Sequence, residues 1–375
     1  MAKTILGVDI GSDSLKLALV TGKMVKKVVA VPMPHSLVKE GRVVSVDAMG
    51  DLISSTMQEN GIRCVEGALV LSNEVAYIRN VTMPQMSAEE LEYNLPYEFR
   101  DYITEDLKDF AFDYAMLSAA EEVKPVKAAK KPKKSKSKDK EGDVFGEDMP
   151  EPEEEEPAVP VEKPTPIAAE EGGMEILAAA VPKAVIEDAR AMFHKAGLKL
   201  VMVAPAVCSF IPLIRGVEEI TGNTGEYCLL DLGYKSIRMY MFRGDRYVVT
   251  RELETGLFTL DEVIAEAYGV DTHLAHTYLL TNYDDCQNKE YCQNAYGNIA
   301  VELMRALNFY RFSNQDSHLS DVWLCGGGAL IPPLRDAITE TLEDMEIHQA
   351  SELLPGGKAA KKGNITVQAS GIAMY

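Results

Sequence analysis

The apolar positions of this chain fall into two periods. Short apolar runs at Thr4 to Val8, Tyr227 to Leu230 and Asp321 to Cys325 predict strands. Elsewhere the spacing is helical. Val185, Ala189, Met192, Phe193 and Ala196 form one stripe that ends at Gly197, which predicts a helix over 185–196. Asp47 to Asn60 reads as a helix stopped by Gly61. Ser87-Ala88-Glu89-Glu90 is a capping box opening a helix toward Tyr93, and Thr259-Leu260-Asp261-Glu262 predicts another. Asp271 is placed to cap the helix after it. Strands alternating with helices predict an α/β fold.

One pattern occurs twice. Asp9-Ile10-Gly11-Ser12-Asp13-Ser14-Leu15-Lys16 and Asp231-Leu232-Gly233-Tyr234-Lys235-Ser236-Ile237-Arg238 share the order Asp, apolar, Gly, two variable residues, Ser, apolar, basic. Each follows an apolar run and reads as strand, tight turn, strand. Glycine lets such a turn approach a ligand closely, and its N–H groups can receive phosphate oxygens. An aspartate at each strand end can hold a water on a divalent cation. A third pattern places Gly326-Gly327-Gly328-Ala329 between the run ending at Cys325 and a helix that starts near Pro332 and Pro333. A flat base or sugar can lie on such a backbone.

In the order hairpin, hairpin, glycine turn, these motifs resemble the phosphate-1, phosphate-2 and adenosine elements of the actin-like nucleotide-binding superfamily. Further segments resemble, within it, the type IV pilus assembly protein PilM family, a relative of the cell-division protein FtsA. They are Val81 to Leu91, Phe110 to Leu117, Leu303 to Phe312 and Ala369 to Ala373. The resemblance covers nearly the whole chain outside 121–171. It implies an actin-like, ribonuclease H-like two-lobed α/β fold with a duplicated β-hairpin core and an FtsA-type 1C subdomain. Subdomain 1A would span 1–82 and 182–224. Subdomain 1C would span 83–181 with a charged insertion at 121–171. Lobe two, with 2A and 2B, would span 225–364, and 365–375 would form a terminal strand returning to lobe one.

The resemblance also assigns a site. Gly11, Ser12, Asp13 and Ser14 would meet phosphates through backbone and hydroxyl groups, with Lys16 beside them. Asp9 and Asp231 would hold waters on Mg2+. Gly233 and Ser236 would meet the phosphates of ATP from lobe two, and Gly326, Gly327, Gly328 and Ala329 would lie under the adenosine. The bland reading of Lys16 is a hairpin residue facing solvent; its place in the repeat favours the functional one.

Departures from the family pattern matter as much. Where relatives carry a strand ending in Asp and Glu near the attacking water, this chain has Val203-Ala204-Pro205-Ala206. Alanine cannot orient a water or take its proton. The relatives' Ala-Glu-x-x-Lys helix, which holds ribose and base, is Ala275-His276-Thr277-Tyr278-Leu279 here, and the usual Gly-Gly before it is Thr255-Gly256. Phosphate elements are kept while base-holding and water-activating residues are lost. No catalytic residue is assigned, and the expectation is weak or altered nucleotide binding with slow or absent hydrolysis. His273 and His276 have a spacing that can bind a metal, but nothing completes a ligand set, and an amphipathic surface helix is the preferred reading.

Charge adds one more element. Residues 121–171 hold eight prolines, nine lysines between Lys124 and Lys140, and nine acids between Glu141 and Glu156. Such a segment cannot fill a core, which predicts a disordered, charge-segregated loop inserted between two paired strands, Phe110 to Leu117 and Met174 to Val181. A solvated spacer is favoured over a lysine block docking on anionic lipid, because the adjacent acids neutralise it. The net charge of −20 argues against a general nucleic-acid binder. No apolar run reaches a membrane span, and the N-terminus runs straight into a strand without a signal peptide. Six cysteines lack a paired spacing. Cys208, Cys228 and Cys325 lie in apolar contexts, as free thiols in a reducing cytoplasm would.

The resemblance implies an assembly protein on the cytoplasmic face of the inner membrane, peripheral to it through partners. It would bind a PilN-type N-terminal tail between 1A and 1C, near Tyr77 to Met83 and the helix after Ser87. It would contact the pilus platform and motor proteins, with self-association left open. An FtsA-like filament protein is disfavoured because Ile365 to Tyr375 reads as a strand and not as an amphipathic membrane helix. A sugar-kinase-like enzyme lacks its catalytic acid at Ala204 and Ala206.

Overall fold

The computed structural model describes residues 2–34, 37–117, 173–222 and 224–375, so the charge-split insertion 121–171 lies outside the described residues. The chain opens with β1 (Thr4–Ile10), β2 (Ser14–Thr21) and β3 (Met24–Pro32). A small hairpin of β4 (Val38–Lys39) and β5 (Arg42–Val43) leads to α1 (Val46–Glu59) and β6 (Glu66–Leu71). Then come β7 (Tyr77–Pro84), α2 (Ala88–Asn94), β8 (Phe110–Met116) and β9 (Gly173–Pro182). The middle of the chain holds α3 (Lys183–Lys195), β10 (Lys199–Pro205), α4 (Ala206–Thr221), β11 (Glu226–Leu232), β12 (Ile237–Arg243) and β13 (Arg246–Leu253). It ends with α5 (Phe258–Tyr268), α6 (Thr272–Thr281), α7 (Glu290–Ser313), β14 (Asp321–Cys325), α8 (Pro332–Thr341), β15 (Glu346–Gln349), α9 (Lys358–Lys361) and α10 (Val367–Ile372).

The duplicated motif governs the architecture. The first sheet runs β10-β6-β1-β2-β3, and the second runs β15-β14-β11-β12-β13. In each, three antiparallel strands start with the motif hairpin, and two strands parallel to its first strand extend the other side. The two sheets form the cores of two lobes. A third sheet, β7-β9-β8, carries α2 on the first lobe. Its β8–β9 ladder pairs the strands that flank the insertion, with Tyr114 opposite Ala178.

The two lobes are joined by a continuous apolar layer. Phe210 and Leu213 of α4 and Ile372 of α10 pack with Ile5 and Val70 of the first sheet and with Leu229, Tyr240 and Phe242 of the second. Here the reading of 365–375 as a strand is corrected. Thr366 ends a 3-10 turn, and Val367–Ile372 is helical and buried against β1, β2, β6 and α4. The alternation that mimicked a strand belongs to a short helix covered on every side, in which Gln368 and Ser370 are buried along with Val367 and Ile372. Its small residues permit backbone contact: a Cβ on Gly371 would lie 1.8 Å from the Ser209 carbonyl oxygen, and one on Gly7 would lie 1.7 Å from that of Ala369.

Some helix starts follow local chemistry. The Ser87 box forms in both directions, Asp271 accepts from the Leu274 N–H, and Pro332 opens α8. The box expected at Thr259 does not form. Leu257 N–H donates to the Gly233 carbonyl and Phe258 N–H to that of Tyr234, so the second hairpin turn satisfies the start of α5. Among the described residues no helix is long and apolar enough to cross a membrane.

Candidate functional site

The two hairpin turns face each other across a cleft between the lobes. Asp9, Gly11, Ser12, Asp13, Ser14 and Lys16 line it from the first lobe. Asp231, Gly233, Ser236, Gly326 and Gly327 line it from the second. Gly328 and Ala329 do not reach it. They turn into the lobe-two core, where a Cβ on Gly328 would lie 2.7 Å from Leu232. Two of the glycines that do reach it, Gly233 and Gly326, are sterically required. A Cβ on Gly233 would meet the Ser236 carbonyl oxygen at 2.6 Å, and Gly326, at φ +83°, leaves no room beside Asp231 Oδ1.

The antiparallel register sets the floor of the cleft. Asp9 lies directly opposite Lys16, and Asp231 lies opposite Arg238, so each repeat carries its acid and its base on one rung. Lys16 Nζ donates to Asp9 Oδ2 at 3.0 Å. Burial favours the neutral amine, but Asp9 and Asp231 more than offset this, and the Lys16 pKa lies above the ordinary lysine value. The solvent-facing alternative for Lys16 is excluded: its side chain is only 15% exposed and lines the cleft. Burial raises the Asp231 pKa, an effect that Lys16 and Arg238 oppose. Arg238 pairs with Glu252 at 2.9 Å and reaches across the lobes to Glu74 at 3.5 Å. Ser236 Oγ donates to Glu252 Oε1 at 2.6 Å, so this hydroxyl is engaged within its own lobe.

Several participants were not legible from local sequence. Gln368, on the final helix, donates to Asp231 Oδ2 at 2.9 Å. Asn73 and Glu74, after β6, line the cleft, and Asn73 Nδ2 donates to the Tyr240 hydroxyl at 3.1 Å. Arg238 could have been found, since it occupies the place of Lys16 in the repeat. His276 is the largest departure. The surface-helix reading is corrected: its side chain is 16% exposed, with Nε2 3.1 Å from Asp13 Oδ1 and Nδ1 2.9 Å from Asp261 Oδ2. Hydrogen bonds to Asp13 and Asp261 raise its pKa to about 10, against the cost of burial. Tyr234 meets the ring edge-on at 5.3 Å.

The donor set suits a polyphosphate and a hydrated cation. Asp9 and Asp231 both line the cleft, with Asp9 Oδ2 held by Lys16 and Asp231 Oδ2 by Gln368. The expected position of a water-activating acid is different. β10 ends at Pro205, and Ala206, which starts α4, lines the cleft with a methyl group.

A second, more apolar cavity lies on lobe one. Val43, Val46, Val75, Pro182, Val185 and Met192 are among the residues that line it. It sits where α3 leaves the three-stranded sheet. Cys286 and Cys292 are buried in the lobe-two core, and burial pushes the Cys228 thiol up to about 12, which keeps it protonated.

A family model described as type IV pilus assembly protein PilM matches residues 7–130 and 161–370. Among solved structures, the chain is similar to a PilM–PilN type IV pilus biogenesis complex, with 22% identity, a TM-score of 0.73 and coverage of 99% of this chain and 97% of that one. It is also similar to ethanolamine utilization protein EutJ from Carboxydothermus hydrogenoformans, with 12% identity, a TM-score of 0.53 and coverage of 100% and 90%. No curated protein matches. The likeness is to the actin-like α/β fold.

Proposed function

This chain belongs to the type IV pilus assembly protein PilM family, and from that premise we propose that it is a nucleotide-responsive docking protein of a pilus or related secretion platform. It works at the cytoplasmic face of the inner membrane, held there by partners. ATP with Mg2+ is its ligand and not its substrate, with hydrolysis slow or absent. The observation that carries this reading is the pairing of two intact Asp–basic rungs with an alanine, Ala206, at the position of a water-activating acid.

Lys16 and the first turn would hold phosphate oxygens, and Asp9 and Asp231 would hold waters on the cation. Bound Mg2+ would supply charge neutralisation between the phosphates and the two aspartates. Gly326 and Gly327 would face the nucleoside. Because the cleft is built from both lobes, a ligand that binds the closed arrangement better shifts the population toward it.

The docking partner is a PilN-type N-terminal tail, and the apolar cavity at Val75, Pro182, Val185 and Met192 is its proposed seat. This places the tail at the junction of the first lobe with the three-stranded sheet, beside the Tyr77 to Met83 strand. An extended apolar peptide would bury side chains there, and the exposed Asp188 at the rim would meet a basic one.

The test is calorimetric titration with ATP and Mg2+, using Asp9→Asn as control. Binding that the variant loses supports a working cation site. No binding by the wild type at millimolar ATP refutes the nucleotide part and leaves the tail-binding part, which is tested separately by titrating a PilN-type tail peptide.

A further inference from the structure

We infer that His276 is a phosphate receptor held in reserve, its outer N–H masked by Asp13 until a polyphosphate takes the aspartate's place. This rests on the reading of the cleft as a nucleotide site. The geometry begins with the ring itself. Both nitrogens face carboxylates, Nδ1 toward Asp261 and Nε2 toward Asp13. Neither carboxylate donates when ionised, so both ring nitrogens carry protons and the group is an imidazolium. Asp261 is 1% exposed at its side chain. Its buried charge would stand uncompensated without the imidazolium, so the positive charge persists when Asp13 moves away. Tyr234 flanks the ring, and its hydroxyl also bonds Asp261.

Asp13 is the replaceable member. It sits on the turn that faces the phosphates, its side chain is 36% exposed, and it belongs to the opposite lobe from His276. Its carbonyl accepts from the Met33 N–H at 2.7 Å, so the backbone is held while the side chain is free to swing out. The other basic groups of the floor are paired with carboxylates too, and any phosphate they meet is shared with those partners. Lys16 is on Asp9, and Arg238 is on Glu252 and Glu74. Lys235, on the second turn, is exposed and supplies charge without a fixed direction. His276 is thus a pre-oriented donor whose present acceptor is a carboxylate standing where a phosphate oxygen can stand. The same contact ties the lobes together, so exchange of Asp13 for phosphate keeps the bridge while making it depend on the ligand.

The experiment titrates inorganic tripolyphosphate, and separately ATP, into the wild type, Asp13→Ala, His276→Gln and the double variant, without Mg2+. Removing the competing carboxylate is expected to tighten tripolyphosphate binding about tenfold, and removing the imidazolium to weaken it about tenfold, the scale of one charged hydrogen bond. In the double variant the gain from Asp13→Ala disappears. A gain that survives without His276, equal affinities in Asp13→Ala and wild type, or no tripolyphosphate binding by any of the four proteins overturns the proposal. Asp13→Ala alters an exposed turn and decides the matter even if His276→Gln folds poorly. If tripolyphosphate follows the expected pattern and ATP binds nowhere, the receptor stands and the nucleotide reading falls.

Discussion

The Gln368 side chain donates to Asp231 Oδ2 at 2.9 Å, which puts the last helix of the chain in contact with the floor of the cleft. Gln368 rides on α10, packed against the first lobe, whereas Asp231 ends the central strand of the second. The bond therefore crosses between lobes. Replacing Gln368 by alanine is expected to cost about 1–2 kcal/mol, the price of a buried carboxylate losing a partner. A lower urea midpoint with an unchanged slope would show it. Gln368→Glu should lose more at pH 7, where a third carboxylate joins Asp9 and Asp231, and should recover toward pH 4. Equal loss at both pH values would contradict this.

Lys16 is the charge that lets two buried aspartates coexist. Lys16→Met keeps the volume and removes the cation, and is expected to destabilise by about 3–5 kcal/mol. Asp9→Asn should cost less, because Asp231 remains as a counter-charge. Chemical denaturation of both variants measures the order, and a milder effect of Lys16→Met would refute this account of the floor.

The space around the Cβ position predicts opposite outcomes for two glycines. Gly371→Ala forces α10 away from the Ser209 carbonyl and is expected to cost about 3 kcal/mol or more. Gly216, inside α4, has open space around a Cβ. Gly216→Ala should stabilise by about 0.5–1 kcal/mol through helix propensity. Thermal melting of the pair reads both signs.

The His276 bridge gives a pH dependence whose sign is fixed. Its pKa in the folded protein is raised from the ordinary value of 6.5 to about 10. Its contribution is thus fully present below about pH 6.5 and is lost as pH rises through about 10. The stability difference between wild type and His276→Gln should shrink between pH 8 and 10.5. A difference that grows over that range would exclude an imidazolium.

The lobe-one cavity separates docking from nucleotide binding. Val185→Glu places a charge among Val43, Val75 and Met192. Affinity for a PilN-type tail peptide is expected to fall at least tenfold, on the scale of burying an unpaired charge. Titration with ATP should give the wild-type result, since Val185 does not line the cleft.

Much of this molecule is set by local rules that a sequence states directly. Ser87 and Glu90 form their box because both partners lie within one turn. The two motif hairpins form because glycine and short polar residues specify a tight turn between apolar strands, and their shared order reveals the duplicated lobes. Gly11, Gly233 and Gly326 were legible for the same reason. Other features depend on partners far away in the chain. Residues 367–372 alternate like a strand yet are helical, since being covered on all sides by α4 and β1 removes the polar face that would mark a helix. Thr259 loses its capping role to the carbonyls of Gly233 and Tyr234, which only the folded hairpin brings near. Gln368 and Glu74 line the cleft, and His276 meets Asp13 of its first turn, through contacts between lobes that no local pattern encodes. Gly328 and Ala329 leave it because the turn after β14 rolls into the lobe-two core. Short-range hydrogen bonding and periodicity fixed most of the elements and the cleft-lining turns. The packing of one lobe on the other decided which charges meet.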